Sequence, residues 1–305
     1  MSGPLVIAPE VREAVASGDP VLALESTIFT HGLPRPRNLE VALEAEARVR
    51  AQGVVPATIG LVDGRPTVGL TPDEIERLST ADDVVKASVR DVPVAAVKGL
   101  SAGTTVAATA HLAVRAGVEV FATGGLGGVH RGAPQTFDES ADLPTLAGLP
   151  LVVVSAGVKS ILDIALTLER LETLNLTVVG YRTTDYPGFY IGDSGHDVQY
   201  SVGSPAEIAA IARTRDALGI ASTLLVANPV AEDHQLDPAL HDEVLRRALA
   251  AADARGISGH DTTPFLLDYF QRETGGRSLD VNVEVYRGNV ELGARIASAL
   301  AGGRR

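Results

Sequence analysis

The chain has 305 residues, of which 45% are hydrophobic, and its formal net charge is −12. The acidic balance and an aromatic content of only 4% argue against nucleic acid partners, because polyanions are repelled and stacking platforms are scarce. No cysteine is present, which excludes disulfides, zinc–thiolate sites, iron–sulfur clusters and cysteine nucleophiles. Any metal would be held by Asp, Glu, His, backbone oxygen or water, a donor set that favours magnesium or manganese.

The N-terminal segment has no charged stretch followed by a long apolar run, so it does not predict a signal peptide. No apolar run in the chain approaches the ~20 residues of a membrane span. We therefore expect a cytoplasmic protein. Strand and helix patterns alternate through most of residues 1–305, which favours a single α/β domain.

Two helices and a buried strand are predicted near the N-terminus. The helices cover residues 10–18 and about 39–52, with Asn38 as the N-cap of the second. Between them VLALEST, residues 21–27, is typical of a buried strand and carries Glu25 near its carboxyl end. A carboxylate there is either a paired structural residue or a general acid or base, because ligands bind at the carboxyl ends of strands in α/β sheets. Desolvation would raise its pKa toward the range that a proton donor needs.

The next segment predicts a β-hairpin, a short helix and a further strand. VVPATIGLVDGRPTVGL forms the hairpin with Asp63 and Gly64 in its turn, and Thr71 opens a helix that has proline at its first position. VPVAAVKG, residues 92–99, is predicted as a strand. Lys86, which precedes that strand, is either a solvated surface lysine or a contact for phosphate.

A helix over about 104–116 and a strand over 118–125 are expected to complete a parallel βαβ unit. The strand runs into a loop with five glycines, FATGGLGGVHRGAPQTFDESAD, residues 121–142. Glycine lets a backbone approach a ligand closely, and exposed N–H groups in such a loop suit phosphate. The neighbouring His130 and Arg131 support an active-site loop, although glycines also mark plain turns.

Lys159 follows a predicted strand over 149–157 and falls in the first turn of a helix predicted over about 159–171. A helix N-terminus disfavours the ammonium form, and burial beside an apolar strand does the same, so both would lower the pKa of this lysine. A neutral amine is a nucleophile suited to a carbonyl or anomeric carbon. The alternative is an ion pair with Asp163, which lies on the same face of the predicted helix.

The rest of the chain continues the alternation. The segment 184–202 is rich in Gly, Asp and Tyr and predicts an irregular loop over the site, a candidate lid. The regular elements expected after residue 175 are a strand over 176–183, a helix over 204–218, a strand in STLLVANPV that Asn228–Pro229 ends, a helix over about 237–255, a helix reading FLLDYFQRET, and a last helix near 289–301.

Seven motifs occur in one order across nearly the whole chain. They read ALESTIFTHGLPRPRN, PATIGLVDGRPTVGL, FATGGLGGVHRGAPQTFDESADL, SAGVKSILD, VANPV, TPFLL and TGGRSL. Together they resemble the pseudouridine-5′-phosphate glycosidase family, which is related to the indigoidine synthase A proteins. The resemblance implies a three-layer α/β/α sandwich around a mainly parallel, mixed sheet, as in indigoidine synthase A-like proteins.

The resemblance also implies an activity, the reversible cleavage of pseudouridine 5′-phosphate with water to uracil and D-ribose 5-phosphate. The broken bond joins carbon to carbon, so uracil must be protonated at carbon, and an ordinary pair of carboxylates would not suffice. In the family a lysine attacks the anomeric carbon, the ribose ring opens, and water later releases the covalent adduct. The matching positions are Lys159 in SAGVKSILD as the nucleophile and Glu25 in ALEST as the proton donor.

Contacts to the rest of the substrate follow from the same resemblance. Lys86 matches the lysine that contacts the phosphate, and Asp138 in TFDES matches the ligand of the family's divalent cation, manganese. Six further positions are expected to line the substrate: Val106, His130, Ser140, Ala141, Asp142 and Asn282. Family members form homotrimers, so we expect a homotrimer without nucleic acid or membrane partners.

Three alternatives compete with this prediction. A dinucleotide-binding loop needs the spacing G-x-G-x-x-G and a helix that opens from it, and GGLGG followed by VHRG does not match. A relative acting on another C-nucleoside or sugar phosphate is the main alternative. The third is a non-catalytic binding protein on the same scaffold, which the matching catalytic, phosphate and metal positions disfavour.

Overall fold

A mainly parallel sheet forms the middle layer of the molecule, and the computed structural model describes residues 5–257 and 262–303. The strands are β1 (Val6–Ile7), β2 (Val21–Leu24), β3 (Val55–Val62), β4 (Arg65–Val68), β5 (Val85–Ala87), β6 (Ala102–Thr104), β7 (Val120–Ala122), β8 (Val152–Ser155), β9 (Thr177–Tyr181), β10 (Tyr200–Val202) and β11 (Leu224–Ala227). Their spatial order is β1-β4-β3-β2-β7-β8-β11-β9-β10, and β6 joins β3 to β5. From β3 through β10 along this order, each neighbouring pair is parallel, whereas β3 is antiparallel to β4 and β6.

Helices cover both faces of this sheet. Their bounds are α1 (Pro9–Ser17), α2 (Arg37–Ala51), α3 (Pro72–Thr80), α4 (Val92–Lys98), α5 (Val106–Arg115), α6 (Ala133–Thr136), α7 (Asp142–Leu146), α8 (Ile164–Thr173), α9 (Pro205–Ala217), α10 (Pro238–Ala254), α11 (Thr262–Glu273) and α12 (Arg277–Gly302), with a π-helical turn at Ile28–Gly32. Leu22 and Leu24 of β2 pack with α2, α9 and α12, and the alternate residues Val21 and Ala23 pack with α1, α5 and α7. The predicted three-layer α/β/α sandwich is therefore confirmed.

The predicted hairpin and the helix after it are also confirmed. Asp63 and Gly64 have φ angles of 49° and 75°, so both turn residues lie in the left-handed region that a type I′ hairpin turn requires. Thr71 caps α3 by accepting a hydrogen bond from the Glu74 N–H, and the Glu74 carboxylate accepts one from the Thr71 N–H.

The segment 92–99 is helix α4 and not the predicted strand. Proline lies in its first turn, and Gly99 ends it in a left-handed conformation, donating its N–H to the carbonyls of Ala95 and Ala96. Of the apolar side chains that suggested a buried strand, Val94 and Val97 face outward, at 53% and 90% exposed, whereas Ala95 is buried. The predicted βαβ unit is wrong for the same reason: the element before α5 is β6, which pairs antiparallel with β3, while the parallel neighbours of β7 are β2 and β8.

Two predicted helix starts also differ from the structure. Asn38 is not an N-cap but lies inside the first turn of α2, where its buried side-chain amide donates to the carbonyls of Phe29, at 2.7 Å, and Ser79, at 2.9 Å. Helix α12 begins at Arg277, well before the predicted start near residue 289. Its first half is rich in β-branched residues, and burial of its apolar stripe against the sheet overrides their weak helix propensity.

The carboxyl edge of the sheet is covered by a third apolar cluster. It combines side chains of α10 and α11 with the loop after β8 and with the segment 184–199, which contributes the buried aromatic residues Tyr186, Phe189 and Tyr190. The predicted irregular segment 184–202 ends in a strand, because its last three residues form β10 beside β9. In the described residues, no helix combines the length and apolarity needed to cross a bilayer.

Candidate active site

The predicted catalytic residues meet at the carboxyl edge of the parallel sheet. Glu25 directly follows β2, Thr123 directly follows the neighbouring β7, and Lys159 lies four residues beyond the end of β8. Because these strands are adjacent and parallel, the segments that leave them converge at one place. The side chains of Glu25 and Lys159 interact electrostatically there, and the charges of Asp142 and Lys86 affect the pKa of both groups.

Glu25 is a buried acid whose pKa lies above its usual range. Its side chain is among the few buried charged groups, and one carboxylate oxygen accepts a hydrogen bond from the Thr123 hydroxyl. Burial raises the pKa of Glu25, and the charges of Lys159 and Lys86 together with the Thr123 hydrogen bond only partly oppose it. The carboxyl group is therefore suited to hold a proton closer to neutral pH than an exposed glutamate would.

Lys159 lies in a loop and not in the first turn of a helix, so that part of the prediction is wrong. Helix α8 begins at Ile164, and the side chain of Asp163 caps it by accepting a hydrogen bond of 3.0 Å from the Leu166 N–H. Asp163 thus serves as a helix cap and not in the ion pair with Lys159 that was the alternative to a nucleophilic lysine. The Lys159 amine instead donates to the carbonyl of Gly125 at 3.0 Å.

The pKa of Lys159 is nevertheless lowered, as the sequence predicts, and burial is the main cause. The positive charge of Lys86 acts in the same direction, and the carboxylates of Glu25 and Asp142 oppose it. A partly buried amine beside a buried acid forms a pair in which the pKa of each group is shifted in favour of its neutral form. A neutral amine can attack carbon, and a protonated carboxyl can supply a proton.

Asp142 fastens the glycine loop to the start of α5. One of its carboxylate oxygens accepts from the Ala107 N–H at 2.9 Å and the other from the Gly127 N–H at 2.8 Å. Ser140 adds to this junction, because its hydroxyl accepts from the Asp142 N–H at 3.2 Å. A β-carbon on Gly127 would lie 2.3 Å from the Ser140 hydroxyl oxygen, so a larger residue does not fit there. The junction holds the buried Val106, the first residue of α5, beside the loop.

His130 and Asp138 form the outer part of the same loop. The His130 N–H donates to the Asp138 carbonyl at 3.0 Å, and the His130 Nδ1 atom lies 3.8 Å from a carboxylate oxygen of Asp138. The Asp138 side chain is 37% exposed and offers hard oxygen donors to solvent. Across residues 5–257 and 262–303, no three His, Asp or Glu side chains cluster as metal ligands. This donor set therefore fits a cation held by one carboxylate and completed by water or substrate.

The other predicted substrate residues lie around this centre. Lys86 is an exposed residue of β5, and Ala141 is exposed at the start of α7. Asn282 is partly buried on α12, and its side-chain oxygen would lie 3.6 Å from a β-carbon built on Gly124, so it borders the glycine loop. Their roles in binding stay predictions.

Sequence reasoning missed several polar residues near the centre, among them Thr123, Asn289 and His31. Asn289 is fully buried on α12 and donates to the carbonyls of Thr123, at 2.8 Å, and Gly124, at 3.1 Å, which fixes the backbone that carries the Thr123 hydroxyl. Its side-chain oxygen accepts from Asn228 at 2.9 Å. His31 lies near Lys86, and burial together with that charge lowers the pKa of this histidine. The sequence could have indicated Asn289, because an amide within the apolar face of a helix is buried there and needs a hydrogen-bond partner.

Comparison with known proteins identifies the family. The family model described as indigoidine synthase A like protein matches residues 10–299. The chain belongs to the indigoidine synthase A-like family. Among curated family members, the pseudouridine-5′-phosphate glycosidase of Saccharopolyspora erythraea is 64% identical over 297 residues, covering 97% of this chain and 98% of the relative. The pseudouridine-5′-phosphate glycosidase of Frankia alni is 57% identical and covers 97% of this chain and 82% of the relative.

Solved structures of the family share the fold. The prealnumycin C-glycosynthase AlnA, determined in complex with ribulose 5-phosphate, superposes with a TM-score of 0.92 at 35% identity and covers 98% of both chains. An indigoidine synthase A-like protein of Thermotoga maritima superposes with a TM-score of 0.88 at 34% identity, covering 99% of this chain and 98% of the other. The resemblance that the motifs predict is therefore confirmed over nearly the whole chain.

Proposed function

We propose that this indigoidine synthase A-like protein is an enzyme that reversibly cleaves the C–C glycosidic bond of pseudouridine 5′-phosphate, giving uracil and D-ribose 5-phosphate. The observation that carries the proposal is the pairing of the partly buried Lys159 with the buried Glu25, with the pKa of the amine lowered and the pKa of the acid raised. The similarity to curated pseudouridine-5′-phosphate glycosidases, at 64% and 57% identity, supports the choice of substrate.

In the proposed reaction, the neutral Lys159 amine forms a C–N bond to the anomeric carbon, and the bond from that carbon to the ring oxygen breaks. The ring oxygen takes up a proton, and the ribose is then open and attached to the enzyme. Protonation of uracil at carbon lets the C–C bond break, which leaves an iminium on Lys159 that water hydrolyses to ribose 5-phosphate. Glu25 is the buried acid next to the amine and supplies a proton to this sequence.

The remaining predicted residues have binding roles in this proposal. Lys86 neutralises the phosphate, and His130, Ser140, Ala141, Asp142, Val106 and Asn282 border the substrate. Asp138 holds a divalent cation, manganese by the resemblance, with water completing its shell; the bound ion would supply positive charge close to the substrate. The partly exposed oxygen donors of Asp138 support this placement. The homotrimer and the cytoplasmic location expected from the sequence remain part of the proposal.

A second candidate is the synthesis or cleavage of a different C-glycoside. AlnA is a C-glycosynthase of the same fold, and its structure holds ribulose 5-phosphate, which favours a sugar 5-phosphate as the shared half of the substrate. The higher identity to the glycosidases favours uracil as the other half for this chain.

Borohydride trapping tests the proposed chemistry. The purified protein is incubated with ribose 5-phosphate and sodium borohydride, and the peptide that gains the reduced sugar is identified by mass spectrometry. We expect a single adduct on Lys159. An adduct on another residue, or no adduct under conditions that keep the protein folded, would refute the nucleophile and with it the proposed reaction.

A further inference from the structure

A second set of polar side chains lies directly behind the nucleophile. Ser160, the residue after Lys159, is 2% exposed, and its hydroxyl oxygen lies 2.7 Å from the Nε2 atom of His241. His241 is also 2% exposed and extends from α10, 81 positions away in the chain. Its Nδ1 atom lies 3.1 Å from a carboxylate oxygen of Asp242. The hydrogen bonds therefore run in series from Asp242 to His241 to Ser160.

The direction of these hydrogen bonds follows from the chemistry of their ends. A carboxylate only accepts, so the Nδ1 atom of His241 carries the proton that faces Asp242. Burial lowers the pKa of His241, and the nearby charge of Arg131 acts in the same direction, while Asp242 opposes both. The histidine is then neutral, its Nε2 atom is an acceptor, and the Ser160 hydroxyl donates to it.

This series has the order of residues found in serine hydrolases, but the surroundings favour a different role. Ser160 is 2% exposed, and the next two residues, Ile161 and Leu162, belong to the third apolar cluster, so a substrate carbonyl has little access to its hydroxyl. The short hydrogen bond instead ties the backbone next to Lys159 to helix α10. Three further contacts surround it: the Lys159 carbonyl accepts from the Leu162 N–H at 2.9 Å, the Lys159 N–H donates to the Leu126 carbonyl at 3.4 Å, and Arg131 donates to the Ser160 carbonyl at 3.5 Å.

The amine end of Lys159 is linked to the same helix through a row of rings. The ring of His241 lies 5.7 Å from that of Phe270, which stacks on Tyr190 at 5.4 Å. Tyr190 meets Phe189 edge to face at 4.8 Å. Phe189 packs so closely on Gly125 that a β-carbon there would lie 2.6 Å from its ring.

The carbonyl of Gly125 is the acceptor of the Lys159 amine, at 3.0 Å. His241 thus contacts the backbone next to Lys159 through Ser160, and it is connected through three packed aromatic rings to Gly125, whose carbonyl accepts from the Lys159 amine. Loss of the histidine contact would remove the side-chain hydrogen bond that ties the backbone beside Lys159 to α10, while the amine keeps its acceptor.

We propose that His241 is a positioning residue for the nucleophile: through its hydrogen bond to Ser160 it holds Lys159 at the angle from which the amine reaches the anomeric carbon. The inference rests on the proposed function, since it assigns Lys159 the attacking role. A displacement of about 1 Å at an attacking atom can lower a rate by roughly 100-fold. A single buried hydrogen bond that prevents such a displacement would therefore have a measurable effect on kcat.

Two substitutions of His241 separate positioning from general stability. His241→Gln places an amide oxygen close to the position of Nε2 and keeps an acceptor for Ser160, whereas His241→Leu removes it. We expect His241→Leu to lower kcat by about 10-fold to 100-fold with KM changed less than about 3-fold, and His241→Gln to recover most of that loss. A merely structural histidine would lower the melting temperature in both variants and leave kcat unchanged below the transition.

Ser160→Ala tests the same contact from its other end, in case His241→Leu does not fold. Its loss in kcat should match that of His241→Leu, and the double variant should lose no more than either single variant, because both remove one interaction. The matched control is Ser298→Ala, which removes a hydroxyl that donates to the Ala294 carbonyl at 3.1 Å near the far end of α12. This control should keep the wild-type kcat.

The outcomes distinguish this inference from the proposed function. Wild-type activity on pseudouridine 5′-phosphate together with an unchanged kcat in Ser160→Ala would overturn the positioning role alone. If the wild-type protein does not act on that nucleotide, the rate of borohydride trapping with ribose 5-phosphate replaces kcat in all variants, with the same expected order. Absence of any trapping on Lys159 in the wild type would contradict both proposals.

Discussion

Replacement of Asp142 by asparagine is the most direct test of how the active-site loop is held. Each carboxylate oxygen of Asp142 accepts one backbone hydrogen bond, from Ala107 at 2.9 Å and from Gly127 at 2.8 Å. Asparagine keeps a single oxygen, so its amide N–H₂ group must face one of these two N–H donors. The substitution preserves shape, removes the charge, and replaces one acceptor oxygen by an N–H₂ donor.

The expected cost follows from these two bonds. A hydrogen bond to a charged group contributes about 1.5–3 kcal/mol, and a neutral one about 0.5–1.5 kcal/mol. Asp142→Asn loses one charged bond and converts the other to a neutral bond, so we expect the free energy of unfolding to fall by roughly 2–4 kcal/mol. Reversible urea or guanidinium unfolding, with equal m-values in both proteins, measures this difference.

Asp237→Asn is the matched control for that measurement. Asp237 also accepts a backbone hydrogen bond, from the Leu240 N–H at 2.9 Å, but as the N-cap of α10, where asparagine serves as well as aspartate. We expect a change near zero. If Asp142→Asn costs no more than Asp237→Asn, the two backbone contacts of Asp142 do not hold the loop and the structural account of the glycine loop fails.

Three further substitutions address the catalytic pair and the buried charges. Lys159→Ala should abolish the borohydride adduct and turnover while ribose 5-phosphate still binds within a few-fold of wild type by calorimetry; a variant that keeps most of its turnover would make the lysine structural. Glu25→Gln should lower kcat by about 100-fold to 10,000-fold with little change in KM, and an effect confined to KM would reassign Glu25 to binding. Glu46 is buried, and burial raises its pKa above the unfolded value of 4.5, although the Thr58 hydroxyl donates to it at 2.6 Å. The folded state then binds more protons than the unfolded state above pH 4.5, so stability falls as pH rises toward neutrality. Glu46→Gln should remove that fall, and equal pH slopes of the unfolding free energy in both proteins would contradict the assignment.

That Glu25, the glycine loop and Lys159 lie together could be predicted from sequence, because each follows a predicted strand of the sheet. Glu25 directly follows one buried strand, and the glycine loop follows another, which suffices to place both at the carboxyl edge of a parallel sheet. The sequence predicts a lowered pKa of Lys159 for a partly wrong reason, since burial and not a helix N-terminus lowers it. Apolar patterns alone misassigned residues 92–99 because a short surface helix and a buried strand share the same composition.

The contacts that support the centre could not be predicted from one sequence. Ser160 and His241 are 81 positions apart, and Asn289 lies 166 positions from the Thr123 carbonyl that it binds. Only the packing of α10 and α12 on the sheet edge brings these groups together. A single sequence offers local periodicity and spacing, which carry no information on such long-range pairs.

Release of uracil from pseudouridine 5′-phosphate is the measurement that tests the central proposal most directly. The purified protein is treated with a chelator, and uracil is quantified by chromatography before and after manganese is added back. The proposed function predicts uracil and ribose 5-phosphate in equal amounts, with release restored by the metal. No uracil under either condition, from protein that remains folded, would contradict the proposed function and leave cleavage of another C-glycoside phosphate as the alternative.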